Sequence, residues 1–502
     1  MNENYSELMV AGLKAKAVKG AGINIVTQFL GFVCHMVGVV VLARLLTPKD
    51  FGLVAMVTAF SLWFMSFGGN GFTEYIIQKQ EISKKEINSV FWLHVFLATM
   101  LAFGFTFFGL FLVNFYAEPS LWGISAAMSS SFILYALSTT PMALLKREMK
   151  FASIAIPELI AMILSTVFAI TVALSEMTYW AVVTRQLTIP VVTMIAAWVL
   201  CPWRPSRPRH LSSALPGLKY AIQVYSNYSL GYLMRNMDKV LLGKYHGSVL
   251  LGNYDRAYHL SSLPADQLLT PLHGVAFATL SRLRNDKERF SAYYIKAVSM
   301  VAFLGTIAAL IMTLLAQDLI LLLLGPKWTE AGMVVMAFGP GIAAMLVYGT
   351  HSWLHLSLGT PDRWLRWNIF ASVLTITVFI IAVPFGTVAM AIACSARAYA
   401  LVLPGLWYAG NSIQFRIGGL LSSIWAYFAS AISVGIFWLY LSAYWPPLNG
   451  FLTGLSLLNR IVITSCITSF LYIALVIILQ RSLSSIREVL SLLAILISRR
   501  VE

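Results

Sequence analysis

Ten ionisable side chains lie inside otherwise apolar stretches of this chain, and any chemistry it performs has to start from them. The basic ones are Arg185, Arg235, Arg256, Arg397 and Arg460; the acidic ones are Glu74, Glu158, Asp238, Asp255 and Asp266. A charge in apolar surroundings is expensive unless it meets a partner or a wet cavity, so each is a site candidate. Guanidinium forks grip oxyanions bidentately, which makes Arg256, Arg397, Arg235 and Arg185 a candidate anion-binding set. Glu74, Glu158, Asp238 and Asp266 are the corresponding candidates for coupling or gating by a proton or sodium ion.

A structural reading competes for each. Arg235 and Asp238 are three apart on one helical face and can neutralise each other. Asp255 and Arg256 adjoin a helix start, where a long side chain snorkels to water. Glu74 can pair with Lys79, after a Gly68-Gly69-Asn70-Gly71 run that should loosen its helix. Pro157 frees a backbone carbonyl beside Glu158 and predicts a local cavity there. Arg460 reads as an anchor near the outer end of its helix. His351 and His355 have metal-ligand spacing, but no carboxylate shares their turn, and Trp353 and Leu354 suggest a packed pair. Cys34, Cys201, Cys394 and Cys466 are too scattered for a metal or disulfide framework. No Gly-rich phosphate loop, nucleophile elbow or metal cluster appears, so no catalytic residue and no metal is assigned, and a non-enzyme is expected.

The elements that must position these residues are membrane helices. Of 502 residues, 59% are hydrophobic and 11% charged, with a mean hydropathy of +0.78. A soluble domain carries about 25% charged residues. Apolar runs of about 20 residues, the length that crosses a bilayer as helix, recur along the chain. Long runs such as Ile369 to Val383 do not alternate as barrel strands would. The spacing predicts helices over 20–43, 51–73, 89–115, 120–145, 153–174, 178–200, 217–242 and 249–280. It predicts six more over 291–315, 331–357, 366–383, 387–410, 418–443 and 452–479. The fold class is therefore an all-α membrane protein of about 14 transmembrane helices.

Twenty-four Lys and Arg residues fall on one set of connections, among them Lys79, Lys146, Arg147, Arg204, Arg284 and Arg363. Five fall on the other: Arg44, Lys49, Lys239, Lys244 and Lys327. The positive-inside rule then puts both termini in the cytoplasm. It also accounts for the net charge of +15 without a nucleic-acid partner. Val41 to Leu46 followed by Gly52 matches Leu241 to His246 followed by Gly252 at an offset of 200. The expected organisation is a cytoplasmic segment 1–19, an N-lobe 20–201, a linker 202–216, a C-lobe 217–410, a helix pair 411–480 and an amphipathic tail 481–502. The two six-helix lobes form a parallel repeat, and the tail lies on anionic lipid.

Val41 to Met56, VLARLLTPKDFGLVAM, resembles the stretch joining the first two helices of polysaccharide transporters. These form one branch of the multidrug/oligosaccharidyl-lipid/polysaccharide flippase superfamily. Ser89 to Trp92, Pro141 to Arg147, Pro202 to Pro205 and Asn236 to Gly243 with Gly252-Asn253-Tyr254 support the resemblance, which runs from about residue 10 to about 410. It implies an inner-membrane flippase carrying polyprenyl-diphosphate-linked oligosaccharide to the periplasmic leaflet for O-antigen, capsule or exopolysaccharide assembly. Two lobes would alternate in access, and a polysaccharide polymerase and export machinery would be partners. A diphosphate would suit a cavity lined by Arg235, Arg256 and Arg397. An ion-coupled multidrug exporter shares the fold and is the alternative, kept open by Glu74, Glu158 and Asp266. A membrane glycosyl polymerase or ligase would need a large outward loop, and the longest expected one, 317–330, is short.

Overall fold

Thr47-Pro48-Lys49-Asp50 is a helix start written in side chains. Asp50 Oδ2 accepts from the Thr47 backbone N–H at 2.9 Å and from Thr47 Oγ1 at 2.6 Å. Pro48 supplies the fixed φ of the first helical residue. The helix that follows begins its buried face at once, with Phe51, Leu53, Val54 and Met56 all under 4% exposed.

The structure, a computed structural model, describes residue 22 and residues 26–207, 214–413 and 417–481. The expected N-terminal segment, Arg416 and the amphipathic tail from 482 on fall outside the described residues, as do positions 208–213 of the linker. Regular structure among the described residues is helical throughout. The first helices are α1 (Val26–Leu45), α2 (Pro48–Gln78), α3 (Lys84–Tyr116), α4 (Ser120–Arg147), α5 (Ala152–Leu174) and α6 (Trp180–Leu200). Then come α7 (Leu215–Arg282), α8 (Lys287–Leu314), α9 (Ala316–Leu323), α10 (Thr329–Gly349) and α11 (His351–Leu358). The chain ends with α12 (Pro361–Ala382), α13 (Gly386–Gly410), α14 (Ile417–Tyr444), α15 (Pro446–Gly454) and α16 (Leu457–Gln480). Ten described stretches are long and apolar enough to cross a membrane. One of them, Pro361–Gly410, holds both α12 and α13. Each of the fourteen expected spans overlaps a described helix, and three of them, on α2 and the two halves of α7, are not among those ten stretches.

At 68 residues, α7 would run about 100 Å unbroken, three times the hydrocarbon thickness. It is not unbroken. Gly247 has φ +77° and ψ −176°, a conformation open to glycine alone, and divides the element in two. The expected break at 68–71 is absent by contrast, and α2 runs continuously to Gln78. Gly71 there serves close packing, since a side chain would strike the backbone of Ala221.

The chain forms two compact units, Met1–Gly252 and Asn253–Glu502. In the first, α4 is central and packs on α2, α3 and α6, while α5 lies along α6. A ladder of Phe64, Phe105, Phe108 and Phe132 joins α2, α3 and α4 through tilted ring contacts. In the second, α10 is central, between α8 and α13, and α14 closes on α8 and α16. Its core includes the fully buried Tyr294, Leu346, Val347, Leu354, Leu406 and Tyr472.

One contact in the first unit is back-to-back main chain. A side chain on Gly52 would overlap the Ser248 carbonyl, and one on Gly252 would overlap the Pro48 carbonyl. Each glycine thus faces the residue four before the other, at the offset that relates the two helix starts in the sequence. Replacing Gly52 or Gly252 by Val should cost about 1–3 kcal/mol or more through overpacking. Gly104→Ala, in open space on α3, should be neutral. Melting temperatures of the purified variants would check this; equal stability of all three would disprove the contact.

Candidate functional site

Charges at one end of the first unit are committed to helix ends. The Arg147 guanidinium donates to the carbonyls of Ile76, Lys79 and Gln80 at 2.6–2.7 Å, capping α2. Arg204 caps α6 through Cys201, Trp203 and Trp198 carbonyls. Both satisfy orphan carbonyls and the negative end of a helix dipole. Lys79 pairs with Glu86 at 2.5 Å, and that hydrogen bond raises the lysine above its ordinary pKa. The raised value means the pair persists at neutral pH and is lost only as pH climbs through the lysine's own strongly alkaline titration.

That commitment leaves Glu74 without its expected partner. It is half-buried on α2 and makes no ion pair among the described residues. Arg235 is exposed, and it does not neutralise Asp238. Asp238 is 2% exposed, and its Oδ1 accepts from the Lys239 N–H at 2.8 Å. Arg185, half-buried on α6, donates from Nη2 to His35 Nδ1 at 3.2 Å and to the His35 carbonyl at 3.3 Å. An arginine only donates, so a neutral His35 carries its proton on Nε2.

Glu158 sits where Pro157 predicted a cavity. The space is about 760 Å³ and is walled by α1, α2, α4 and α5. Besides Glu158 it exposes Lys146, His35, Gln28 and Thr27 among apolar side chains. The turn after α4 is short, and α5 returns beside it; that turn brings Lys146 and Glu158 to one wall. A short connection between helices is the sequence signal that could have linked them.

In the second unit Arg256 is already compensated. Its Nη2 meets Asp255 Oδ2 at 2.6 Å, and both side chains are largely buried. The expected snorkelling does not occur, because α7 turns this face inward, with Asn253, Tyr254 and Asp255 each under 5% exposed. Asn253 Nδ2 donates to Glu330 at 3.2 Å. Arg397 is different. On α13 it donates from Nη1 to Thr375 Oγ1 at 3.1 Å and lies 5.9 Å from the Phe379 ring centroid. It meets no carboxylate at ion-pair distance among the described residues, and its Nε has no hydrogen-bond partner there. Asp266 is exposed on the second half of α7.

His351 and His355 are buried, with rings 6.0 Å apart. Nδ1 of His351 bonds the Tyr348 carbonyl at 2.6 Å, and Nδ1 of His355 lies 3.2 Å from Thr360 Oγ1. No group of three metal-ligating side chains occurs among the described residues. Arg363 caps α13 through the Tyr408 carbonyl at 2.7 Å, a role its sequence position did not disclose.

Arg460 of α16 pairs with Asp318 of α9, which makes it an anchor. Either partner alone would be left partly buried and uncompensated, so Arg460→Met should cost about 1–3 kcal/mol, and adding Asp318→Leu should recover much of that. Thermal unfolding of the single and double variants reads this directly; an additive loss would rule the pairing out.

The fold defines a polytopic helical membrane protein. It superposes on the lipid II flippase MurJ in an inward closed conformation with a TM-score of 0.70, over 91% of this chain and 98% of that one, at 15% identity. An inward-facing multidrug resistance transporter of the MATE family gives 0.62, over 78% and 96%, at 13% identity. A family model described as polysaccharide biosynthesis protein matches residues 41–333, more than half the chain, and this protein belongs to that family. The succinoglycan biosynthesis transport protein ExoT of Rhizobium meliloti is 24% identical over 66% of this chain and 68% of its own length. The lipopolysaccharide biosynthesis protein WzxC of Escherichia coli K12 is 22% identical over 63% and 65%. The chain thus spans about two thirds of the length of these relatives.

Proposed function

We propose that this protein is a flippase that moves a polyprenyl-diphosphate-linked oligosaccharide across the bacterial inner membrane by alternating access, for assembly of a surface polysaccharide. The observation that carries the reading is Arg397, a guanidinium in a membrane-crossing helix held by a hydroxyl and a ring face rather than by a carboxylate. Such a charge is retained for an anionic cargo, and a lipid diphosphate supplies the oxygens a guanidinium fork binds. Exposed Arg235 is the second candidate contact in this reading, and Arg256, neutralised by Asp255, is the weakest. Membership in the polysaccharide biosynthesis family, and the transport named for ExoT, support the substrate class. The asymmetry of Lys and Arg supports cytoplasmic termini. The translocated unit is then consumed by a polymerising enzyme and export machinery on the far side.

The test is a flipping assay in proteoliposomes, following the accessibility of lipid-linked oligosaccharide to an added probe. Arg397→Ala and Arg235→Ala should each slow transport about tenfold or more, as loss of a charge-assisted bond implies, with Arg256→Ala milder. Unchanged transport in Arg397→Ala would sink the site. Export of a cationic dye with no movement of lipid-linked sugar would favour the multidrug reading, which shares the fold.

We assign coupling to Glu74, the half-buried carboxylate whose expected cation is engaged elsewhere. A carboxylate left so can exchange a proton or sodium ion. Glu74→Gln should abolish the acceleration of flipping by an imposed proton or sodium gradient while leaving downhill exchange intact. Gradient dependence that survives the substitution would exclude it.

A further inference from the structure

We propose that the 760 Å³ cavity beside α1 and α5 binds the headgroup of a zwitterionic phospholipid, with Glu158 holding its ammonium and Lys146 its phosphate. The site is distinct from the arginines assigned to the cargo, and the inference does not depend on the flippase reading.

Four observations lead there. Size comes first, since the space falls in the range of small-molecule pockets, about 300–1,000 Å³. Charge comes next: Lys146 and Glu158 share the cavity wall, yet no ion pair within 4.0 Å joins them, and neither pairs elsewhere among the described residues. A single cation would be repelled by Lys146 and a single anion by Glu158; a ligand carrying both signs satisfies both. The rest of the lining is apolar, including Phe32, Phe151, Ile154 and Met162, which suits the glycerol and first methylenes of a lipid. Access is lateral. Phe29, Leu30 and Val33 on α1, and Ile156, Ile160 and Ile163 on α5, are all at least 41% exposed, so the helices that frame the cavity also present the faces that meet acyl chains. Gly31 abuts Met162 and Gly38 abuts Thr166, so α1 lies against α5 beside the cavity. His35 adds a polar group deeper in, oriented by Arg185.

Lys146 ends α4 next to Arg147, at the basic end of the unit. The headgroup therefore belongs to the leaflet at that end, the cytoplasmic one in the orientation proposed above. An anionic lipid, lipid-linked diphosphate included, would gain Lys146 but face Glu158. The site accordingly discriminates by the ammonium group.

The experiment uses the full-length protein in detergent, titrated with phosphatidylethanolamine or phosphatidylglycerol and read by native mass spectrometry and thermal shift. Wild type should bind phosphatidylethanolamine about tenfold more tightly than either Glu158→Gln or Lys146→Gln does, the size expected for one charge-assisted contact. Phosphatidylglycerol should bind wild type weakly and improve in Glu158→Gln, where the repelling charge is gone. The double variant Glu158→Lys with Lys146→Glu should regain phosphatidylethanolamine binding, which separates loss of the site from loss of fold. Equal binding of the two lipids to wild type, or phosphatidylethanolamine binding indifferent to both single variants, would overturn the proposal. Transport by the Arg397 variant bears on neither result.

Discussion

The tightest glycine contact among the described residues is the crossing of Gly52 and Gly252. Two helix starts meet there main chain to main chain, each glycine against the carbonyl of the residue four before its counterpart. Within lipid there is little hydrophobic force to press helices together, and small residues let packing do that work. The contact also explains why the flanking chemistry is so specific. The Thr47–Asp50 capping box fixes the direction in which α2 leaves its turn, and Gly247 supplies the sharp bend that starts the second half of α7. Lys244 Nζ bonds the Phe115 carbonyl and Ser248 Oγ the Glu118 carboxylate, so the turns before α2, before α4 and at Gly247 gather at one end of the unit.

The basic residues then divide by task rather than by position in the sequence. Arg147, Arg204 and Arg363 are spent on the last carbonyls of α2, α6 and α13. Arg460 and Arg256 are spent on Asp318 and Asp255. Arg185 orients a histidine. The excess of positive charge on one set of connections is thus partly helix capping, because helix C-termini that end on that side present a negative dipole there. Topology and capping ask for the same residues, and neither requires a polyanionic partner outside the membrane.

Much of the fold was legible because the membrane simplifies the code. Helices such as α4 and α5 matched their expected bounds to within about two residues, since an apolar run of spanning length has one stable conformation in lipid. Gly52 and Gly252 could be paired by offset alone. The site was less legible, and for a physical reason: which charge is compensated depends on contacts between helices, and a single sequence does not show who faces whom. Arg235 and Asp238 have the spacing of an ion pair and do not form one, because Asp238 turns inward and Arg235 outward. Arg256 looked free and is held by its neighbour. The 68–71 run looked like a break, but α2 passes through it as helix, and Gly71 permits a close approach. Only Pro157 pointed at a site for a reason that survived, since a proline in a helix disturbs the packing locally whatever surrounds it.

An arginine at the centre of a membrane helix costs about 3 kcal/mol on insertion scales, so a chain that keeps one unpaired must recover the cost in another state. Arg256 recovers it within the folded protein, through Asp255. Arg397 does not: a threonine hydroxyl and the face of Phe379 stabilise a guanidinium only in part. The difference between the two is therefore a free-energy difference between resting and loaded protein. In the cycle proposed above, an anion that enters and leaves would draw on that difference, whereas a cation would enlarge it. On that reading the sign of the cargo follows from which arginine was left without an acid, and a negatively charged headgroup suits Arg397 better than a cationic drug.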